Sequence, residues 1–289
     1  MARRCLQCET RFAGPDWTCP ACGSAPAGPP GLPAFATALS NTLSGFDPAY
    51  FDRLVKLEHG SFWFRARNAL ILWAISRCFP RASRMLEIGC GTGYVLAGIA
   101  AARPRLELWG SELHLDGLTW TARRLPAAKF LQMDARAMPF DGEFDLMGAF
   151  DVIEHIEQDE VVLREAHRTL APGGGLLITV PQHPFLWSAA DEYAYHQRRY
   201  TGPELRRKVQ EAGFRIVLCT SFVSLLMPLL LVSRLANRSA DKFDPEAEYR
   251  MSGFTGRLLS GVMRVERALI ETGVRFPFGG SLLLAAERV

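Results

Sequence analysis

The sequence predicts an α/β fold: a doubly wound sheet of seven strands with helices on both faces. Two observations carry that expectation. From residue 84 onward, short apolar runs alternate with helical stretches, and such alternation builds a parallel sheet covered on both sides. The first run is followed at once by Gly89-Cys-Gly91-Thr-Gly93, and in such sheets a glycine loop between strand and helix lets backbone amides approach a ligand. The 289 residues and 48% hydrophobic content allow one large domain with a real core and a small appendage. A net charge of +3 gives no argument for a nucleic-acid partner.

The appendage comes first. Cys5-Leu-Gln-Cys8 and Cys19-Pro-Ala-Cys22 fall within residues 1–24. Each C-x-x-C turn brings two thiolates to one metal, and two such turns complete the tetrahedral set that zinc takes. So short a piece has no core, so the metal must supply its folding energy. No charged-then-apolar leader precedes the first pair, so a reducing, cytoplasmic setting is expected, where paired cysteines more often hold metal than disulfides. Residues 25–45, rich in Pro, Gly and Ala at the start, read as a linker.

The main domain spans residues 46–289. Asp47-Pro48 starts a helix that places Phe51, Leu54, Val55 and Glu58 at helical spacing. A second helix, 62–79, is dense in aromatics; Phe62-Trp63-Phe64-Arg65 either packs on the sheet or lids a cleft. Strands are expected at 84–88, 106–111, 129–132, 144–150, 174–180, 214–220 and 282–286, with helices at 92–102, 114–125, 158–170 and 203–212. The last two strands are separated by a helical insert, 221–280, far longer than an ordinary connection. It opens with 222–235, apolar nearly all round, passes through a mixed segment at 236–253, and continues as a helix at 255–272.

Ligands of open α/β sheets sit beyond the carboxyl ends of the strands. There Glu112 ends the second strand and Asp134-Ala135 follows the third. Glu112 is placed to accept hydrogen bonds from ribose hydroxyls and Asp134 from an adenine amino group. The loop reads G-x-G-x-G with Tyr94 next, which departs from the dinucleotide fingerprint and disfavours NAD.

Residues 85–93, Glu112, Asp134, 144–155 and 170–180 together resemble the ordered motifs of class I S-adenosylmethionine (SAM)-dependent methyltransferases. The likeness covers about 84–220 plus the last strand and implies a Rossmann-like fold. It implies that Glu87, Gly89, Gly91 and Gly93 flank the methionine part of SAM, that Glu112 holds the ribose, that Asp134 and its neighbour Ala135 read the adenine, and that Phe150 lines the path to the sulfonium. Asp151-Val-Ile-Glu154-His155 is similar to the acid-x-x-Glu-His corner of ubiquinone-type O-methyltransferases, which in some of those enzymes holds a divalent metal. Here Mg2+ at Asp151, Glu154 and His155 is one reading, although the first acid is Asp rather than Glu. His155 is otherwise a general base or a helix cap.

The polar stretch 181–201 reads as the acceptor site, with His196 and His183 as alternative bases. Arg198, Arg199 and Tyr200 either bind an anionic group or hold the loop to the sheet. The catalytic set is thus His155, His196 and Tyr200. The apolar insert is either interfacial, beside Arg234, Arg238 and Lys242, or a buried cap or homodimer interface. The expected function is O-directed methyl transfer to a hydrophobic or lipid-linked small molecule, in a cytoplasmic protein peripheral to the inner membrane face. The alternatives are a ribosomal RNA methyltransferase gripping RNA through its ribbon, and a non-catalytic SAM-binding protein.

Overall fold

The computed structural model describes residues 2–14, 16–29, 31–40, 50–236 and 253–289. The expected helix start at Asp47-Pro48 lies outside them, as does nearly all of the mixed segment. In chain order the elements are β1 (Ala2–Arg4), β2 (Arg11–Ala13), α1 (Thr37–Ser40), α2 (Tyr50–Glu58), α3 (Phe62–Cys78), β3 (Arg84–Ile88), α4 (Tyr94–Ala102), β4 (Glu107–Glu112), α5 (Leu115–Arg124), β5 (Lys129–Gln132) and β6 (Phe144–Phe150). Then follow α6 (Asp159–Thr169), β7 (Leu170–Pro181), α7 (Ala189–Tyr193), α8 (Gly202–Glu211), β8 (Phe214–Phe222), α9 (Met227–Ala236), α10 (Gly253–Glu271) and β9 (Ser281–Arg288).

The seven strands of the main sheet lie in the order β5-β4-β3-β6-β7-β9-β8. β9 runs antiparallel to both its neighbours and the remaining strands are parallel. That one reversal decides where the insert lies. Phe222, which ends β8, sits opposite Ser281, which begins β9. The chain between them therefore leaves and returns at the same, ligand-binding end of the sheet.

Apolar runs without alternation are what a sheet covered on both faces requires. Within β3, Met85 packs with Ile71, Ile75, Leu96 and Ile99 on one side, while Leu86 and Ile88 meet Met147, Val162 and Leu163 on the other. β7 begins at Leu170, four residues before the expected start, because a register irregularity opposite Phe144 and Leu146 absorbs the Pro172-Gly-Gly174 turn.

The cysteine-rich segment forms a two-stranded antiparallel ribbon. It docks on the stretch before β6: the Arg4 amide donates to Pro139 O and the Asp141 amide to Ala2 O. The Arg3 guanidinium lies 4.0 Å over the Trp17 ring, which meets Phe35 and Phe140 edge-on. This is the amino end of the sheet. The middle of the expected linker, residues 34–36, is not free chain, because Ala34 bridges Gln132 and the Gln132 side chain bonds both backbone groups of Ala36. It covers the β5 edge, which would otherwise expose unpaired amides.

The insert departs from the expected uniformly apolar helix. Phe222 ends the strand; Val223 takes a left-handed turn (φ 58°) and α9 starts only at Met227. Glu266 of α10 holds that turn, its carboxylate accepting from the amides of Val223, Ser224 and Leu225 at 2.6, 2.6 and 2.7 Å. α9 is not buried all round, for Leu226 just before it is buried while Leu229 and Val232 are 50% and 65% exposed. No described helix is long and apolar enough to cross a membrane.

Candidate active site

A cavity of about 640 Å3 opens at the carboxyl ends of β3, β4, β5 and β6. Its first half is built by the loops after those strands. Gly89 and Gly91 line it, and the Gly91 amide donates to Glu112 at 3.0 Å. Gly91 adopts φ 52°, a conformation that a side chain would strain. Gly93 does not reach the cavity surface. It turns the chain into α4 at φ 75°, where an added Cβ would meet the Thr121 methyl at 2.6 Å.

Glu87, Glu112, Asp134, Ala135 and Phe150 all line this half. Glu112 also accepts from the Leu113 and His114 amides, at 2.8 and 3.3 Å. Burial nevertheless holds its carboxyl above the usual range. Burial pushes Glu87 well above that range too, against the nearby Arg67 cation, and its Oε2 is buried without a hydrogen-bond partner. Asp134 is engaged by the Arg136 guanidinium at 2.7 Å. A buried acid with an unmet acceptor, beside glycines that leave room for a ligand, fits the amino-acid end of SAM.

The second half is walled by Phe62 and Trp63 of α3 and by Val223, Leu226, Leu229, Leu230 and Leu259 of the insert. The aromatic run of α3 thus does both things the sequence allowed: Phe62, Trp63 and Phe64 line the cavity, while Leu70, Ile71, Ala74 and Ile75 pack on the sheet. The floor is polar. His155 and His196 both line it, their ring centroids 4.8 Å apart. His196 Nδ1 donates to Asp191 at 2.9 Å. Burial opposes charge on Asp191, but the bonds from His196 and from Arg199 Nε at 2.7 Å prevail and hold its carboxyl below the usual range.

Four expectations need correction. Tyr200 is fully buried outside the cavity, its hydroxyl donating to Asp159 at 2.6 Å; burial first, then that carboxylate, raises its pKa. It ties the loop after β7 to α6. Arg198 pairs with Asp159 at 3.0 Å and Arg199 with Asp191, so neither is free for an anionic group. The acid–acid–histidine corner is also rearranged. Asp151 is taken by Arg67 and by the Thr179 hydroxyl, and the ligand atoms of Glu154 and His155 converge instead with His196, all within 4.8 Å. His183 lies between Phe185 and Phe278 and does not face the cavity.

Arg67 escaped the sequence reading, and Asp191 entered it only as part of the polar stretch 181–201. Arg67 stands on the buried stripe of α3 with Phe64, Leu70, Ile71 and Ala74; a cation on an apolar stripe was the available signal. Asp191 is distinguished only by its contact with His196, five residues on, which no helical or strand period announces.

At the other end of the molecule, the four thiols of Cys5, Cys8, Cys19 and Cys22 converge within 4.8 Å of one another.

A family model described as a methyltransferase domain matches residues 62–218. The chain belongs to that family. Its fold is that of a class I SAM-dependent methyltransferase, and it is an enzyme of that kind. A probable SAM-dependent methyltransferase of Mycolicibacterium smegmatis is 27% identical over 180 residues, covering 61% of this chain and 68% of that protein. A fatty-acid O-methyltransferase of the same organism is 33% identical over 99 residues, 33% of this chain and 36% of the relative. Among solved structures, Haemonchus contortus phosphoethanolamine N-methyltransferase 2 in complex with SAM superposes with a TM-score of 0.57 at 18% identity, covering 90% of this chain and 61% of that one. That likeness speaks for the fold alone.

Proposed function

We propose that this methyltransferase transfers the methyl group of SAM to a hydroxyl of a hydrophobic or lipid-linked small molecule. One observation carries the proposal: a single cavity joins the glycine loop to an Asp191–His196 pair beneath a leucine wall. Bound SAM supplies a methyl group already activated on a sulfonium. The protein then has to orient the acceptor and take one proton. Asp191 fixes the Nδ1–H tautomer of His196, which leaves Nε2 to accept the hydroxyl proton. Leu226, Leu229, Leu230 and Leu259 offer an apolar chain its burial and exclude water from the reacting atoms. Gly89, Gly91, Glu87, Glu112, Asp134 and Ala135 are assigned to SAM, and Gly91→Arg should abolish SAM binding in calorimetry.

Glu154, His155 and His196 also form a two-histidine, one-carboxylate donor set, which suits a transition-metal dication better than the oxygen-preferring Mg2+, and both Glu154 carboxyl oxygens are buried without a hydrogen-bond partner. A cation there would supply Lewis acidity toward a bound hydroxyl. Zinc is assigned to the four cysteines as a structural ion. Exposed Leu225, Leu229, Val232, Phe185 and Phe278 around the acceptor half support peripheral contact with the cytoplasmic membrane face, and a homodimer would cover the same residues.

Labelled SAM with a panel of long-chain and short-chain hydroxyl compounds tests the reading. Label on the long-chain members, with kcat lowered about 10²- to 10⁴-fold in His196→Ala and SAM affinity kept, is the expected result. Exclusive labelling of amines or of RNA would overturn it, and no transfer to any acceptor would favour a non-catalytic SAM binder. The RNA reading is disfavoured because the ribbon docks at the amino end of the sheet and the cavity opens at the carboxyl end.

A further inference from the structure

A second groove, of about 440 Å3, runs between α3 and α10, and four arginines line it: Arg65 from α3 and Arg257, Arg264 and Arg267 from α10. Residues 257, 260, 264 and 267 fall at helical spacing, so one stripe of α10 presents three guanidiniums and the Ser260 hydroxyl. Arg65 reaches across from the facing helix, donating to Ser260 Oγ at 3.4 Å. Among the described residues, one carboxylate pairs with this set, Glu271 with Arg267 at 3.6 Å. Arg65, Arg257 and Arg264 have no ion-pair partner there. Like charges on one groove repel, and the arrangement is relieved by a multivalent anion rather than by solvent.

The surroundings identify the anion. Next to the arginine stripe, α10 exposes Phe254, Leu258, Val265 and Leu269, with Phe254 76% and Leu258 57% accessible. A helix that carries arginines beside an exposed apolar stripe suits the boundary between phosphate head groups and acyl chains. Phe62 lines both this groove and the acceptor half of the main cavity, so the two sites share a wall.

We propose that the α3–α10 groove binds the phosphate head group of an anionic lipid and seats the protein on a membrane with the acceptor cavity beside the bilayer. The inference stands on the groove itself and holds whichever acceptor the enzyme methylates.

The test is sedimentation of the full chain with vesicles of phosphatidylcholine alone and of phosphatidylcholine with phosphatidylglycerol, at low and high salt. Binding to the anionic vesicles that falls with salt is expected, with the double variant Arg257→Gln/Arg264→Gln weaker on the order of thirtyfold. Unchanged SAM affinity in that variant shows that it is folded. Equal binding to both vesicle types, or a double variant that binds like the parent, would overturn the proposal. So would binding of inorganic pyrophosphate without vesicle binding, which would make the groove a soluble-phosphate site, or preference for a single-stranded oligonucleotide over the vesicles. Failure to methylate any long-chain hydroxyl compound would refute the acceptor reading and leave this one intact.

Discussion

Replacing Glu87 by glutamine separates what this residue does for the ligand from what it does to the fold. Its carboxyl is fully buried, lifted well above the ordinary carboxylate range by burial, and its Oε2 has no hydrogen-bond partner. A buried acceptor left unpaired costs about 1–3 kcal/mol, and more once it is ionised. An acid whose pKa is raised on folding stabilises the fold below its unfolded pKa, near 4.3, and gives that contribution up as pH climbs through the raised folded value. Without SAM, Glu87→Gln should therefore match the parent at pH 4 and exceed it at pH 8 by about 2 kcal/mol, a rise in Tm of about 4–8 °C. With SAM the advantage is offset. A charge-assisted bond to the ligand's ammonium is lost, at about 1.5–3 kcal/mol, and affinity falls roughly 10- to 150-fold. Thermal unfolding at the two pH values, with and without SAM, and calorimetry read both effects. A variant less stable than the parent at pH 8 without ligand, or one with undiminished SAM affinity, would refute the reasoning.

Glu266→Ala removes the acceptor of three backbone amides at the β8–α9 turn and should cost about 3–5 kcal/mol in urea unfolding. Hydrogen exchange at Val223, Ser224 and Leu225 should quicken; protection equal to the parent's would contradict the role. Tyr200→Phe loses the bond to Asp159 and should lower stability by about 1.5–3 kcal/mol while leaving kcat unchanged, whereas a large fall in kcat at full stability would return Tyr200 to the chemistry. Metal analysis should find about one zinc per chain, lost in Cys8→Ser, and chelation should unfold the ribbon but spare SAM binding; a metal-free protein with an intact ribbon would sink that assignment.

The residues proposed for the donor half are local in sequence. Gly89 to Gly91, Glu112 and Asp134 each follow a strand end, and parallel strands bring their carboxyl ends together without further instruction. The acceptor half was read only in part. His155 and His196 meet across the mouth of the sheet, but Tyr200, four residues from His196, turns inward to Asp159. Side-chain direction in an irregular loop has no period from which to read it.

The sequence by itself determined the alternation that makes the doubly wound sheet, the glycine loop and strand-end acids that we assign to SAM, and the doubled cysteine pairs whose thiols converge. Each rests on spacing within one element or on one strand-to-helix turn. Only the tertiary structure decided that the insert roofs the cavity, that Arg67 takes Asp151 and frees Glu154 to join His155 and His196, and that four arginines from two helices share a groove. Those outcomes depend on the antiparallel return of β9, which begins and ends the insert at the ligand end of the sheet, and on contacts between residues far apart in the chain.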